Sequence, residues 1–114
     1  MPNSSATILA IETATSSCSV ALSQGDQVFQ RAKVGSNVHS QVLLTMVQDV
    51  LAQASLVPSD VDAVAVGQGP GSFTGLRIGV GVAQGLAYGV NCPMIGVSSL
   101  DALAHQANVD GHVI

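Results

Sequence analysis

The chain has 114 residues, of which 47% are hydrophobic and 9% are charged, and its formal net charge at pH 7 is −4. This length is enough for one small domain, and the lack of a basic cluster argues against a protein that grips nucleic acid by its phosphates. So few charges are unusual on the surface of a free-standing domain, which indicates that further chain or a partner covers part of it.

Three strands are predicted in the first third of the chain. Thr7–Ile11 is a short apolar run of the buried-strand type, and the polar turn Glu12–Ser17 follows it. Cys18–Leu22 and Gln27–Val34 alternate between apolar and polar residues, and Gln24–Asp26 supplies the glycine of a hairpin turn. We therefore expect an antiparallel meander of three strands.

Helices and strands alternate after the meander. A helix is predicted from about His39 to Ala54, because its apolar residues form one broad arc at 3.6 residues per turn. The strand Asp62–Val66 follows, and a second helix that begins near Thr74 leads to the strand Pro93–Val97. Right-handed crossovers would place these two helices side by side on one face of the sheet.

This order predicts an α/β fold, namely an actin-like or ribonuclease H-like half domain. Its mixed five-stranded sheet has three antiparallel strands and then two parallel ones, in the order β-β-β-α-β-α-β-α. The third helix, from Ser98 or Ser99 to Gln106, is expected on the other face of the sheet. His112–Ile114 is predicted to open another strand at the end of the chain.

The most distinctive segment joins the fourth strand to the second helix. Gly69–Gly71 interrupts regular structure, and the hydroxyl of Ser72 or Thr74 can cap the helix. The segment is either only a tight turn or an anion or nucleotide site, because glycines permit close approach and a helix N-terminus offers N–H groups. It is not a Walker A loop, since no Gly-Lys-Ser/Thr follows the glycines.

Small residues run along the second helix in two lines, although each glycine costs about 1 kcal/mol relative to alanine. At about 100° per residue, the first ridge consists of Gly75, Gly79, Ala83 and Ala87, and the second of Gly81, Gly85 and Gly89. The helix is apolar nearly all round, so we expect it to be buried on more than one side. Either a partner or a large domain would account for this.

We expect the protein to be cytoplasmic and to have no membrane segment. The N-terminus lacks the basic-then-apolar order of a signal peptide, and glycines interrupt the apolar run after Arg77. Cys18 and Cys92 are far apart and fit no metal-ligand spacing. They are therefore predicted to be reduced, buried thiols.

Several stretches of the sequence resemble the TsaB (YeaZ) family, in the same order and over almost the whole chain. They are residues 8–15, 18–22, 39–41, 69–79, 85–87 and 96–100. The resemblance implies the two-lobed fold of actin, sugar kinases and heat-shock chaperones, with residues 1–114 as the N-terminal lobe and the C-terminal lobe missing. It also implies a part in placing threonylcarbamoyl on the adenosine after the anticodon in tRNAs that read codons beginning with A.

The resemblance also directs attention to the first hairpin, where ATP-using relatives carry an acidic residue and a glycine around the phosphates. Glu12 takes the acidic position here, but residues 13–16 contain no glycine, and a Cβ hinders close approach of a phosphate. Glu12, Thr13, Gly71 and Ser72 are thus degenerate candidates for nucleotide binding. Glu12 is either a structural turn residue or a remnant of a metal-water contact.

No catalytic or metal-binding residue is predicted. The catalytic relative, TsaD, carries a pair of metal-binding histidines on a helix, whereas His39, His105 and His112 offer no such spacing. His39 is instead expected to stabilise the start of the first helix. The resemblance implies that ATP and metal belong to the partner subunit, although a nucleotide-binding ATPase or kinase lobe is the alternative function.

The implied function is that of a non-catalytic subunit that binds and supports TsaD. The complex would also contain the ATPase subunit TsaE, and would bring the subunit to tRNA only indirectly. We expect both long helices to pair with those of TsaD, or with a second copy as a two-fold homodimer when TsaD is lacking. The predicted interface residues are Leu44, Val47, Leu51, Leu76, Gly79, Val80, Ala83 and Ala87.

A bulky replacement in the first ridge tests this interface. Such a residue at Gly79 or Ala83 should abolish association, and the fold as well if the ridge faces the sheet.

Overall fold

The computed structural model describes residues 6–13, 17–34, 40–67 and 73–97. The strands are β1 (Thr7–Glu12), β2 (Ser17–Gln24), β3 (Gln27–Val34), β4 (Ala63–Gly67) and β5 (Met94–Val97). The helices are α1 (Ser40–Gln53) and α2 (Phe73–Val90), and a 3₁₀ turn spans Pro58–Asp60. Each predicted element in these ranges is confirmed, while the third helix and the final strand lie outside the described residues.

The five strands form one mixed sheet in the order β3-β2-β1-β4-β5. β2 is antiparallel to β1 and to β3, whereas β4 is parallel to β1 and to β5. Gly25 begins the two-residue turn between β2 and β3 with a φ of 61°, which a residue with a Cβ rarely adopts. The predicted meander followed by two parallel strands is therefore confirmed.

The hydrophobic core lies between the sheet and the two helices. Leu9 of β1 stands beside Leu22 and Val64, and two residues later Ile11 stands beside Val20 and Val66. Because side chains alternate along a strand, all six face the same side, where each is at most 1% exposed. This face of the sheet provides the surface on which the helices pack.

α1 and α2 lie side by side on this face, as the crossovers predict. α1 packs on β2 and β3, and α2 packs mainly on β4 and β1. Between the helices, Val47 and Leu51 of α1 meet Leu86 and Val90 of α2 around a small apolar cavity. The inward residues of α1 recur at helical spacing: Leu43, Met46, Val47, Val50 and Leu51 are buried.

The helices leave few large apolar side chains uncovered. Among the helical residues whose burial is described, Leu44 and Tyr88 are the large hydrophobic side chains that are exposed, at 37% and 91%. The wide apolar arc of α1 serves two contacts, one with the sheet and one with α2. This second contact accounts for an apolar arc wider than packing on the sheet alone requires.

More large aliphatic side chains are exposed on the other face of the sheet, which we call the far face. Ile8 and Ile95 are 38% and 48% exposed, and Val28 on the edge strand is 56% exposed. Between them the register aligns three small residues, Ala10, Ala21 and Ala65, across adjacent strands. The far face thus combines exposed aliphatic side chains with a row of small residues.

Thr7 and Asp62 join the starts of the parallel strands β1 and β4. The backbone N–H of Asp62 donates to the carbonyl of Thr7 at 2.8 Å, and the N–H of Thr7 donates to Oδ2 of Asp62, also at 2.8 Å.

Burial, and secondarily the Asp62 carboxylate, raise the pKa of the Cys92 thiol. Both Cys18 and Cys92 are free thiols, Cys18 buried and Cys92 half-buried.

The reactivity of Cys92 should report this arrangement. A raised pKa means that thiolate forms only at a higher pH than for an ordinary thiol, so alkylation by iodoacetamide should rise late in a pH titration. Asp62→Asn should move the midpoint to lower pH, but only part of the way, because burial is the larger cause. Cys92→Ser serves as the control that identifies the signal, and an unchanged midpoint in Asp62→Asn would contradict the assignment.

Candidate functional site

The strand ends that could hold a ligand lie at one edge of the sheet. β1, β4 and β5 are parallel, and β3 runs in the same direction because both β1 and β3 are antiparallel to β2. Ligands of open α/β sheets bind outside the carboxyl ends of such strands. Glu12 and Thr13 stand at this edge, whereas Gly71, Ser72 and the three histidines lie outside the described residues.

Thr13 is turned away from the edge and into the protein. Its side chain is fully buried, and its hydroxyl donates a hydrogen bond of 2.6 Å to the carbonyl oxygen of Gly75 in α2. One helical turn further along, a Cβ on Gly79 would overlap Oγ1 of Thr13. The Thr13 hydroxyl, which the sequence analysis considers for nucleotide binding, therefore joins β1 to α2.

Glu12 lies on the opposite side of the sheet from Thr13. Its carboxylate rests over Gly67 at the end of β4, where any Cβ would overlap it, and its side chain is half-buried. Consecutive side chains of a strand point to opposite faces. Glu12 and Thr13 are thus on opposite faces of the sheet.

Metal ligands are not clustered in the part of the chain that the structure describes. No group of three or more His, Cys, Asp or Glu side chains there is close enough to hold an ion. Neither of the two described helices is long and apolar enough to cross a membrane.

The first ridge of α2 faces the sheet. Gly75 and Gly79 are buried against Thr13, and Ala83 and Ala87 are 0% and 5% exposed. Small side chains allow α2 to lie close to β1 and β4. The orientation of this ridge, which the sequence left open, is therefore inward.

Most of the predicted interface residues are consequently internal to the chain. Val47 and Leu51 are 3% and 4% exposed, and Gly79, Ala83 and Ala87 are buried with them. Leu76 and Val80 are half-buried and Leu44 is exposed, so a partner could reach these three. The partner contact itself stays a prediction, but a partner would have to bind residues other than the buried ones.

The exposed side of α2 forms a strip that sequence reasoning only partly identified. We call it the exposed strip, and it consists of Arg77, Gly81, Gln84, Gly85 and Tyr88. Apart from the backbone of α2 itself, a Cβ at Gly81 or Gly85 would meet open space. Arg77, Gln84 and Tyr88 are the larger and more polar residues of the strip, and their helical spacing opposite the first ridge is the sequence signal that marks this side.

Comparison with known proteins identifies the family. Residues 32–113 match the family described as "TsaD: tRNA N6-adenosine threonylcarbamoyltransferase". Over 100 residues the chain is 51% identical to the Escherichia coli (strain K12) tRNA threonylcarbamoyladenosine biosynthesis protein TsaB, a match that covers 88% of this chain and 43% of that protein. The chain belongs to the TsaD family, in its TsaB (YeaZ) group.

Solved structures agree with this membership of the TsaB (YeaZ) group. YeaZ from Pseudomonas aeruginosa superposes with a TM-score of 0.84 and 45% identity, over 92% of this chain and 49% of that one. A Bacteroides thetaiotaomicron protein described as having an actin-like ATPase fold and unknown function gives a TM-score of 0.56 at 8% identity, covering 90% of this chain and 38% of its own. This second likeness concerns the fold alone and confirms the actin-like prediction. The chain spans about half the length of its TsaB and YeaZ relatives.

The contact between Thr13 and Gly79 can be tested by a double-mutant cycle. Gly79→Ala should lower the free energy of unfolding by roughly 1–3 kcal/mol, because its methyl group overlaps Oγ1 of Thr13. Thr13→Ala vacates that space. The double variant should therefore lose less unfolding free energy than the two single variants lose together, by at least about 0.5 kcal/mol. Urea denaturation measures all four proteins.

Gly81→Ala is the matched control on the same helix. Its added methyl group meets open space, so the better helix propensity of alanine should raise stability by up to about 1 kcal/mol. Equal effects of Gly79→Ala and Gly81→Ala would contradict the packing of α2 described above.

Proposed function

We propose that this chain is the N-terminal lobe of a non-catalytic, cytoplasmic subunit of the machinery that forms threonylcarbamoyladenosine in tRNA. In this proposal it binds and supports the catalytic subunit TsaD, the ATPase subunit TsaE joins the same complex, and tRNA is met only indirectly. The observation that carries the proposal is the 51% identity to a protein named for this biosynthesis.

The contacts at the end of β1 favour a non-catalytic subunit over a catalytic one. A phosphate site at the first hairpin would need its groups on one side of the strand, with room for close approach. Here the hydroxyl of Thr13 donates its hydrogen bond to the carbonyl oxygen of Gly75, and the Glu12 carboxylate lies over Gly67 on the other face. These contacts favour the scaffold subunit over the alternative of an ATPase or kinase lobe, with ATP and metal held by the partner.

The length of the relatives supports the assignment as one lobe of a larger protein. Exposed aliphatic residues such as Ile8 and Ile95 are typical of a surface that other structure covers, and the third helix predicted after Val97 is expected on that face. The TsaB and YeaZ relatives are about twice as long as this chain. We infer that the remaining half of such a protein forms the second lobe.

The exposed strip of α2, with Leu44 of α1, is the surface that we assign to TsaD. Glycines at positions 81 and 85 leave open space beside Tyr88, which is 91% exposed, so a partner helix could approach the backbone of α2 closely. In the absence of TsaD the same surface would form a two-fold homodimer.

A bulky residue in the strip should block association without harming the fold. Gly85→Trp, made in the full-length protein, places an indole at an exposed position whose Cβ would meet open space beyond the backbone of α2, so circular dichroism should be unchanged. Co-purification with TsaD and the threonylcarbamoyladenosine content of cellular tRNA should both fall sharply. Ser59→Trp, at an exposed position in the 3₁₀ turn, is the control that should behave as wild type.

Full TsaD binding by a folded Gly85→Trp protein would rule out the exposed strip as the interface. Loss of binding in both tryptophan variants would show a general effect of the indole rather than a specific surface.

Nucleotide binding separates the two function classes. Because the Thr13 hydroxyl is already hydrogen-bonded, ATP should neither be hydrolysed by this subunit alone nor raise its melting temperature. A ligand at a hundred times its dissociation constant would add about 2.7 kcal/mol of stability, which calorimetry detects easily. TsaD serves as the positive control, and a clear rise for this subunit would favour the ATPase or kinase lobe.

A further inference from the structure

We propose that Thr13 is a positioning residue for the surface that binds the partner. Its hydroxyl holds the amino-terminal half of α2 in one rotation on the sheet, and this rotation presents the exposed strip to TsaD. The inference rests on the proposed function and goes beyond it, because it assigns a role in recognition to a side chain that no partner touches.

The contact is built as a fixed tie between distant parts of the chain. Thr13 follows the last residue of β1, and its hydroxyl reaches Gly75, 62 residues later, at 2.6 Å. The side chain is 0% exposed, so water does not compete for the hydrogen bond. Cγ2 of Thr13 lies 3.3 Å from the position of a Cβ on Gly79, which means that the methyl group fits closely against the next turn of the helix.

α2 depends on such ties because its own sequence does little to stiffen it. Glycine is a poor helix former, and around Gly81, Gly85 and Gly89 no neighbouring side chain packs to offset this. At the carboxyl end the N–H of Cys92 donates to the carbonyl of Ala87 at 3.0 Å, which caps the helix locally and does not attach it to the sheet. At the amino end the Thr13 hydroxyl attaches α2 to the end of β1.

The position of the tie determines which residues it controls. Gly75 and Gly79 face Thr13, while Arg77 and Gly81 lie on the opposite side of the same two turns and belong to the exposed strip. A rotation of these turns about the helix axis would move both strip residues directly. Loss of the hydrogen bond should therefore disturb the strip even when the helix remains folded.

Two conservative substitutions separate the hydroxyl from the shape of the side chain. Thr13→Val keeps the branched shape and removes the donor, whereas Thr13→Ser keeps the donor and removes the methyl group. The full-length protein carrying each change is titrated with TsaD in a calorimeter, well below the melting temperature, and melting is measured separately. We expect Thr13→Val to weaken binding about tenfold, the scale of one lost hydrogen bond, and Thr13→Ser to bind within about twofold of wild type.

Gly79→Ala is a second route to the same test if Thr13→Val fails to fold. Its methyl group overlaps Oγ1 of Thr13 and should displace the hydroxyl from Gly75, so binding to TsaD should weaken here too. Suppose that a folded Thr13→Val or Gly79→Ala protein binds TsaD with wild-type affinity and shows only a lower melting temperature. That result would mean that Thr13 only stabilises the fold, and it would overturn the inference. Equal weakening by Thr13→Ser and Thr13→Val would also overturn it, because the shape rather than the hydroxyl would then matter.

The wild-type titration distinguishes this inference from the proposed function. Wild-type protein that does not bind TsaD would overturn the proposed function together with the inference. Wild-type binding with unaltered binding by the variants would overturn the inference alone.

Discussion

The close packing of α2 against the end of β1 is the constraint on which the rest of this structure depends. Gly75 and Gly79 leave a groove in the helix surface, and the buried side chain of Thr13 fills it and donates to the Gly75 carbonyl at 2.6 Å. Helix propensity argues against glycine at both positions. The tertiary contact nevertheless requires glycine at position 79, because a Cβ there would overlap the side chain of Thr13.

This packing also determines the chemistry of the sheet edge. In a strand, the two faces alternate residue by residue, so an inward Thr13 requires an outward Glu12. The carboxylate of Glu12 then lies over Gly67, and the two polar groups that the sequence places together are divided by the sheet. The Thr13 hydroxyl at the end of β1 is thereby used to hold this strand and α2 together.

The distribution of apolar surface is consistent with a lobe on which further structure packs. The centre of one face of the sheet is covered by the helices, with Leu9, Val20 and Val64 at most 1% exposed, whereas Ile8 and Ile95 on the far face are exposed by more than a third. A chain with 9% charged residues has few means to make such a face hydrophilic. Covering it with further structure removes the cost of its hydration.

The sequence by itself determined the elements and their order. Alternation in Gln27–Val34 and the 3.6-residue spacing in Ser40–Gln53 are local patterns, so the strands and helices in the described ranges fall within about two residues of prediction. The handedness of crossovers then gave the placement of both helices on one face. Family resemblance rested on the same linear motifs.

Only the tertiary structure decided which side of α2 meets the sheet and what Thr13 does. α2 is apolar or small nearly all round, so its hydrophobic pattern defines no single inward direction, and both ridges of small residues satisfied it equally. The choice depends on shape at a distance: Thr13, 62 residues from Gly75 in the chain, fits the first ridge and excludes a side chain at Gly79. Such a contact between remote residues has no periodic signature, which is why it emerged only once the chain was folded.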